Sequence, residues 1–228
     1  MIIDAHCHFD MMPQPEEYIR AIEGRCDIVI GMTNLPSHFQ MGMSYVRGYK
    51  HVRLALGLHP LLAAENKREV ALFKQLVDQT SYIGEIGLDF SREGYKTKDA
   101  QIEVLREMLG ILKGKNKIIS VHSRWAEKEL LYLLSEYDIK NVIFHWYNGA
   151  VALIPAIIER GYYFSVNEAM TLSGNGQTIL GAIPRDRILT ETDAPYNKRC
   201  DIRNTIGALS LSEKEVKENF FTLLRRIK

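Results

Sequence analysis

The sequence has only three cysteines, Cys7, Cys26 and Cys200. An odd, widely spaced set excludes a disulfide framework. Charge imbalance is nearly absent: 29 Lys and Arg stand against 28 Asp and Glu, a formal charge of +1. This excludes the global basic surface of a protein that coats nucleic acid, but not a local groove for phosphate. No apolar run approaches the about 20 residues needed to cross a bilayer, so no membrane association is expected. The opening MIIDAHCHFD holds neither the basic stretch nor the apolar core of a secretory leader, and a cytoplasmic location is the expectation. No glycine-rich phosphate loop follows the first apolar run, which ends in His-Cys-His. Its absence counts against a doubly wound dinucleotide-binding sheet. Low-complexity stretches and linkers are missing too, so residues 1–228 are expected to form a single domain.

What is present is a rhythm. Short runs rich in Ile, Val and aromatics recur at Ile2–His6, Asp27–Gly31, Val52–Gly57, Tyr82–Ile86, Lys117–Val121, Asn141–His145, Tyr162–Val166 and Arg187–Glu191. Their length and composition suit buried strands. Helical spacing lies between them, as in Ile102, Leu105, Leu109 and Leu112. The last segment repeats it with Val216, Phe220, Leu223, Leu224 and Ile227, and Ser212 with Glu215 reads as a capping box. Strand followed by helix, eight times, predicts a parallel sheet. A period of about 26 residues fits a compact (β/α)8 TIM barrel with little room for insertions.

The chemistry-bearing residues fall at the ends of these runs. His6 and His8 end the first, Glu85 the fourth, His122 the fifth and His145 the sixth, while Asp193 follows the eighth. In a barrel all these ends open on one face, the face that carries catalysis. Residues two apart on a strand share a side, so His6 and His8 both point inward and Cys7 points outward. Alone, each has a plain structural reading: His122 as a helix cap, His145 packed on Trp146 and Tyr147, Asp193 as a cap near Pro195. Together they do not, because buried imidazoles and carboxylates crowded on one face need a cation to offset desolvation and repulsion.

In order, DAHCHFD, GLHP, IGEIGLDF, VHSRWAEKEL, HWYNG and ILTETDAPY resemble the motifs of the TatD family of metal-dependent deoxyribonucleases. The likeness runs from Ile2 to the last helix, where Asn219, Phe221 and Leu223–Leu224 echo the family's ending. It implies a TIM barrel and two divalent metal ions, of Mg, Mn or Zn. By motif position it implies His6 and His8 on one ion with Glu85 and Asp193, His122 and His145 on the second, and Glu85 bridging the two. Three stretches depart from the family pattern: Asn116-Lys117, Trp146-Tyr147 and the NKRCDIRNT that follows ETDAPY. None removes an expected ligand; they bear on the substrate groove. The TatD-like nucleases of bacterial Qat anti-phage systems are similarly compact, a likeness that implies partner proteins from a defence operon.

The function so implied is hydrolysis of phosphodiester bonds in DNA, from the 3′ end and preferring single strands. Two divalent cations exceed two carboxylates and one hydroxide by a single charge, which a phosphodiester neutralises. Hydroxide held between the ions is the expected nucleophile, with Glu85 and Asp193 as catalytic residues and Asp193 as ligand and general base. Arg124 is an expected phosphate contact, and His59 is expected to contact a phosphate or to orient another ligand. Asp4 and Asp10 are candidates to orient a ligand imidazole, and Glu191 to lie beneath Asp193. Tyr147, Trp146, Phe90 and Tyr196 are candidates to stack on bases. Two rival functions use the same residues: hydrolysis of another ester or amide, such as an aminoacyl-tRNA ester, and a non-catalytic metal-bound subunit of a larger complex.

Overall fold

The computed structural model describes residues 1–227. Each of the expected runs is a strand: β1 (Ile3–Cys7), β2 (Ile28–Gly31), β3 (Val52–Leu54), β4 (Tyr82–Gly87), β5 (Ile118–His122), β6 (Val142–His145), β7 (Tyr163–Val166) and β8 (Ile188–Thr190). All pairings are parallel, in chain order. The regular ladders form a three-stranded piece, β1 to β3, and a five-stranded piece, β4 to β8. Two sets of hydrogen bonds join the pieces into a closed barrel. At one seam Leu56 N donates to Tyr82 O (3.0 Å) and Gly84 N to Leu56 O (2.9 Å). At the other, Asp193 N donates to His6 O (3.0 Å) and His8 N to Ala194 O (2.8 Å). Among the described residues closure leaves no unpaired sheet edge, and the helices cover the outside, the layering expected of a TIM barrel.

The third run was expected to stay in strand through Gly57, but β3 ends at Leu54. The chain changes partner there. Ala55 N still donates to Gly31 O of β2, whereas Leu56 bonds β4. Gly57 then passes so close to its neighbours that an added Cβ would stand 2.0 Å from Thr33 O and 2.4 Å from Glu85 N. Only glycine fits, and the close approach sets the backbone of Glu85. Gly87 does the same on the far side: at φ 141°, its Cβ would meet His122 O at 2.0 Å.

The helix layer closes over the sheet with the periodicity read from sequence. Helix Lys98–Leu112 buries Leu105, Leu109 and Leu112. Helix Glu213–Arg225 begins with the Ser212–Glu215 capping box and buries Val216, Phe220 and Leu223. Its Asn219 reaches under the barrel, donating to Arg185 O (2.7 Å) and Ile188 O (2.8 Å). On β6, Phe144 alternates with His145 and so faces the helices. It packs against Tyr147, Tyr162 and Phe164 with ring centres 6.0, 6.2 and 6.1 Å away. All four side chains are fully buried. Phe144→Ala is expected to cost about 3–5 kcal/mol, the range for a buried aromatic truncated in a packed core. A urea midpoint that barely moved would show that this cluster does not hold the barrel and its helices together.

Candidate metal centre

The strand ends bring together the imidazoles and carboxylates that the sequence scatters over most of its length. His6 and His8, at the carboxyl end of β1, both point inward, while Cys7 lies outside with Sγ 3.6 Å from the Tyr18 hydroxyl. The His6 and His8 Nε2 atoms are 3.2 Å apart. Asp193 Oδ1 stands 3.7 Å from the first and 3.8 Å from the second. Glu85 Oε2 is 3.7 Å from His6 Nε2 and 3.2 Å from His8 Nε2. The other carboxylate oxygen, Oε1, faces the opposite way, 2.7 Å from His122 Nδ1 and 2.9 Å from His145 Nε2. Glu85 therefore offers one oxygen to each half of the cluster.

The donor set fits divalent cations. Ligand atoms of His6, His8 and Asp193 lie within 4.8 Å of one another, as do those of His6, Glu85 and His145, and of His59, Glu85 and His122. Asp193 Oδ1 lies 3.7 and 3.8 Å from the His6 and His8 nitrogens, beyond hydrogen-bond distance. Two Nε2 atoms facing at 3.2 Å repel unless a proton or a cation stands between them. Nitrogen and oxygen donors in this mixture suit Zn, Mn and related ions, with carboxylates also admitting Mg.

The site's electrostatics follow from burial and crowding. Burial favours a neutral Glu85, but the imidazoles of His59, His145 and His122 outweigh it and hold the carboxyl well below its usual range. Burial pushes His6 well below the ordinary histidine value, helped by His145 stacked on it at 3.8 Å. Burial also lowers His59, to about 4. His145 goes the other way: Glu85 and Glu191 overcome its desolvation and raise it well above the usual value. Burial raises Asp193 to about 7, with Glu191 and Glu85 adding to the effect against His145.

Comparison with known proteins gives the family of the chain. A family model described as TatD related DNase matches residues 3–219. The chain belongs to the TatD-related DNase family. Human deoxyribonuclease TATDN3 is 27% identical, over 94% of this chain and 86% of its own length. An uncharacterized metal-dependent hydrolase of Methanocaldococcus jannaschii is 26% identical, over 85% of this chain and 78% of its own. The crystal structure of YJJV, a TatD homolog from Escherichia coli K12, superposes with a TM-score of 0.81 at 21% identity, covering 99% of this chain and 97% of that one. A TatD family hydrolase from Entamoeba histolytica gives 0.76 at 17% identity, covering 97% of each chain. The protein is a TatD-type metal-dependent hydrolase with a TIM-barrel fold.

Several neighbours of this TatD centre were not read correctly from sequence. Asp4 does not orient an imidazole: its carboxylate accepts from Thr192 N (3.0 Å) and Thr192 Oγ1 (2.6 Å), tying β1 to the loop after β8. Asp10 bonds no histidine either, and its buried Oδ1 has no partner among the described residues. Glu191 does approach a ligand candidate, with Oε2 3.5 Å from His145 Nδ1, close enough for charge attraction but without a hydrogen bond. Ser165 Oγ and Asn167 Nδ2 donate to the same carboxylate. His59 is held by Leu61 N, which donates to its Nδ1 (3.3 Å), and its Nε2 is 3.5 Å from Glu85 Oε2. That places it inside the cluster, beyond the role of a rim contact. Arg124 is exposed, and its side chain has no hydrogen bond or ion pair among the described residues. Of the expected stacking residues, Tyr147 is fully buried, with its hydroxyl donating to Ala150 O (2.8 Å). Phe90 and Trp146 are half-buried, and Tyr196 stands 56% exposed with its ring edge-on to His8.

One functional neighbour was missed altogether. Asp89, buried at the end of β4, places Oδ2 2.9 Å from His122 Nε2, opposite the nitrogen that faces Glu85. Burial raises its carboxyl, but the bonds from His122 and Ser91 win and bring it to about 2. A carboxylate on the far nitrogen fixes an imidazole's tautomer and ring orientation for metal binding. Asp89→Ala is expected to weaken divalent-cation affinity about 10- to 100-fold, measured by calorimetric titration on protein whose circular dichroism is unchanged. Unaltered affinity would separate Asp89 from the metal centre.

Proposed function

We propose that this chain is a two-metal phosphodiesterase acting on DNA, removing nucleotides from the 3′ end of single strands. The observation that carries it is the division of Glu85, whose Oε2 faces His6 and His8 and whose Oε1 faces His122 and His145. In this reading His6, His8 and Asp193 hold one cation, His122 and His145 hold the second, and Glu85 is shared. When bound, the pair lowers the pKa of the attacking water from about 15.7 toward about 7 and offsets charge on the phosphoryl and leaving oxygens.

The remaining work belongs to the chain. Asp193 sits at the mouth, its backbone tied to β1 through His6 O. Its Oδ1 stands 3.7 Å from His6 Nε2 and 3.8 Å from His8 Nε2, beside the position where the attacking water would lie, so it is the residue placed to accept that water's proton. Asp89 holds the His122 ring from behind through a 2.9 Å hydrogen bond, and the Glu191 carboxylate lies 3.5 Å behind the His145 ring. Arg124, with its guanidinium free among the described residues, suits bidentate contact with a phosphate. The DNA assignment is supported by the names of relatives such as human deoxyribonuclease TATDN3.

A 5′-labelled single-stranded deoxyoligonucleotide, incubated with Mg, Mn or Zn, tests the proposal. The expected result is a ladder of products shortened from the 3′ end. Intact oligonucleotide, together with turnover of an aminoacyl-tRNA or a small ester, would transfer the same centre to the rival substrate class.

A further inference from the structure

Two large aromatic side chains stand in water on the face that carries the metal centre. Trp125 is 68% exposed and Tyr95 58%. They lie in the loops that leave β4 and β5, adjacent strands, at their carboxyl ends. These loops are fastened together beyond the ladder: Leu88 N donates to His122 O and Phe90 N to Arg124 O, both at 2.9 Å. Trp125 is the next residue after that last bond. Leaving an indole in water forgoes a large burial gain. Trp125 also holds φ at 58°, a left-handed conformation that bulky residues seldom adopt. Its N–H donates to Glu127 Oε1 (3.2 Å), which fixes the turn. The other exposed side chains of the two loops are Arg92, Lys96, Arg124 and one carboxylate, Glu93. Lys98 Nζ lies 4.9 Å from the centre of the Tyr95 ring.

An exposed indole amid surplus cations, continuous with a phosphodiester-cleaving centre, matches the chemistry of an unpaired strand. Each of its bases has a free π-face, and each of its linkages is an anion. A duplex hides those base faces. We propose that Trp125 stacks on a base of single-stranded nucleic acid while Arg124 contacts the backbone, and that this pair of loops selects single strands. The proposal rests on the nuclease reading above, and its test separates the two.

The experiment compares the wild-type holoenzyme with Trp125→Ala and Trp125→Phe on a single-stranded 20-mer and on bis(p-nitrophenyl) phosphate, a diester without a base. Trp125→Ala is expected to raise KM for the 20-mer about tenfold, within the range of base–aromatic stacking, with kcat and the small diester unchanged. Trp125→Phe, which keeps a ring, is expected to retain most of the affinity. A second readout does not depend on turnover. A phosphorothioate 20-mer should quench tryptophan fluorescence in the wild type and lose that quench in Trp125→Phe, where Trp146 is the remaining tryptophan. An unchanged KM in Trp125→Ala with an unchanged quench in Trp125→Phe overturns the proposal, as does an equal loss on both substrates. If neither substrate is hydrolysed by the wild type while the Trp125 quench persists, the nuclease reading falls and the stacking stands. If the small diester alone is hydrolysed and no quench occurs, the stacking falls and the phosphodiesterase stands.

Discussion

Glu85→Ala is expected to lower kcat by about a thousandfold or more, in the range seen when a member of an interdependent catalytic unit is removed. The reason is positional. Glu85 is seated within β4 by the close approach of Gly57, whose added Cβ would stand 2.4 Å from Glu85 N, and by Gly87, whose added Cβ would stand 2.0 Å from His122 O. Its side chain then faces five imidazoles: His122 and His145 through Oε1, and His6, His8 and His59 through Oε2. Removing it takes an oxygen from both halves of the cluster and leaves those imidazoles without their central counter-charge. Glu85→Gln separates charge from shape, since an amide has a single carbonyl oxygen and serves only one half. It is expected to fold, to bind less metal per chain, and to remain nearly inactive. Full activity in Glu85→Gln would remove the shared carboxylate from the account.

Exhaustive chelation is expected to have an effect as large. Treatment with EDTA should bring hydrolysis to background, and manganese or zinc added back should restore it. The melting temperature should fall along with the activity. An ion that binds only the folded chain stabilises it by about 2.7 kcal/mol when present at 100 times its dissociation constant. Here the loss also leaves the buried carboxylates of Asp193 and Glu85 without the cations that would offset their mutual repulsion. Hydrolysis unchanged after chelation, with metal content confirmed as nil, would exclude a metal-dependent reaction.

The barrel was legible because its strands are short, mostly buried and rich in Ile, Val and aromatic residues. Their ends could be aligned without knowing any pairing. That is why His6, His8, Glu85, His122, His145 and Asp193 could be placed on one face from spacing alone. The neighbours of those residues were harder to read. Asp89 lies in a quoted motif, but its reach to His122 depends on the fastening of the loops after β4 and β5, which no periodicity encodes. Asp4 has the correct inward phase on β1, yet the closing seam delivers Thr192 to it before any imidazole. Tyr147 follows a strand end as Tyr196 does, but the cluster around Phe144 takes it into the core. Trp125 and Tyr95, 68% and 58% exposed, are the aromatics that strand-end reasoning passed over.

Anomalous diffraction from manganese-loaded crystals tests the central claim most directly. Two separate peaks are predicted on either side of the Glu85 carboxylate, one beside His6, His8 and Asp193 and the other beside His122 and His145. A single peak, or two peaks on the same side of Glu85, would contradict it.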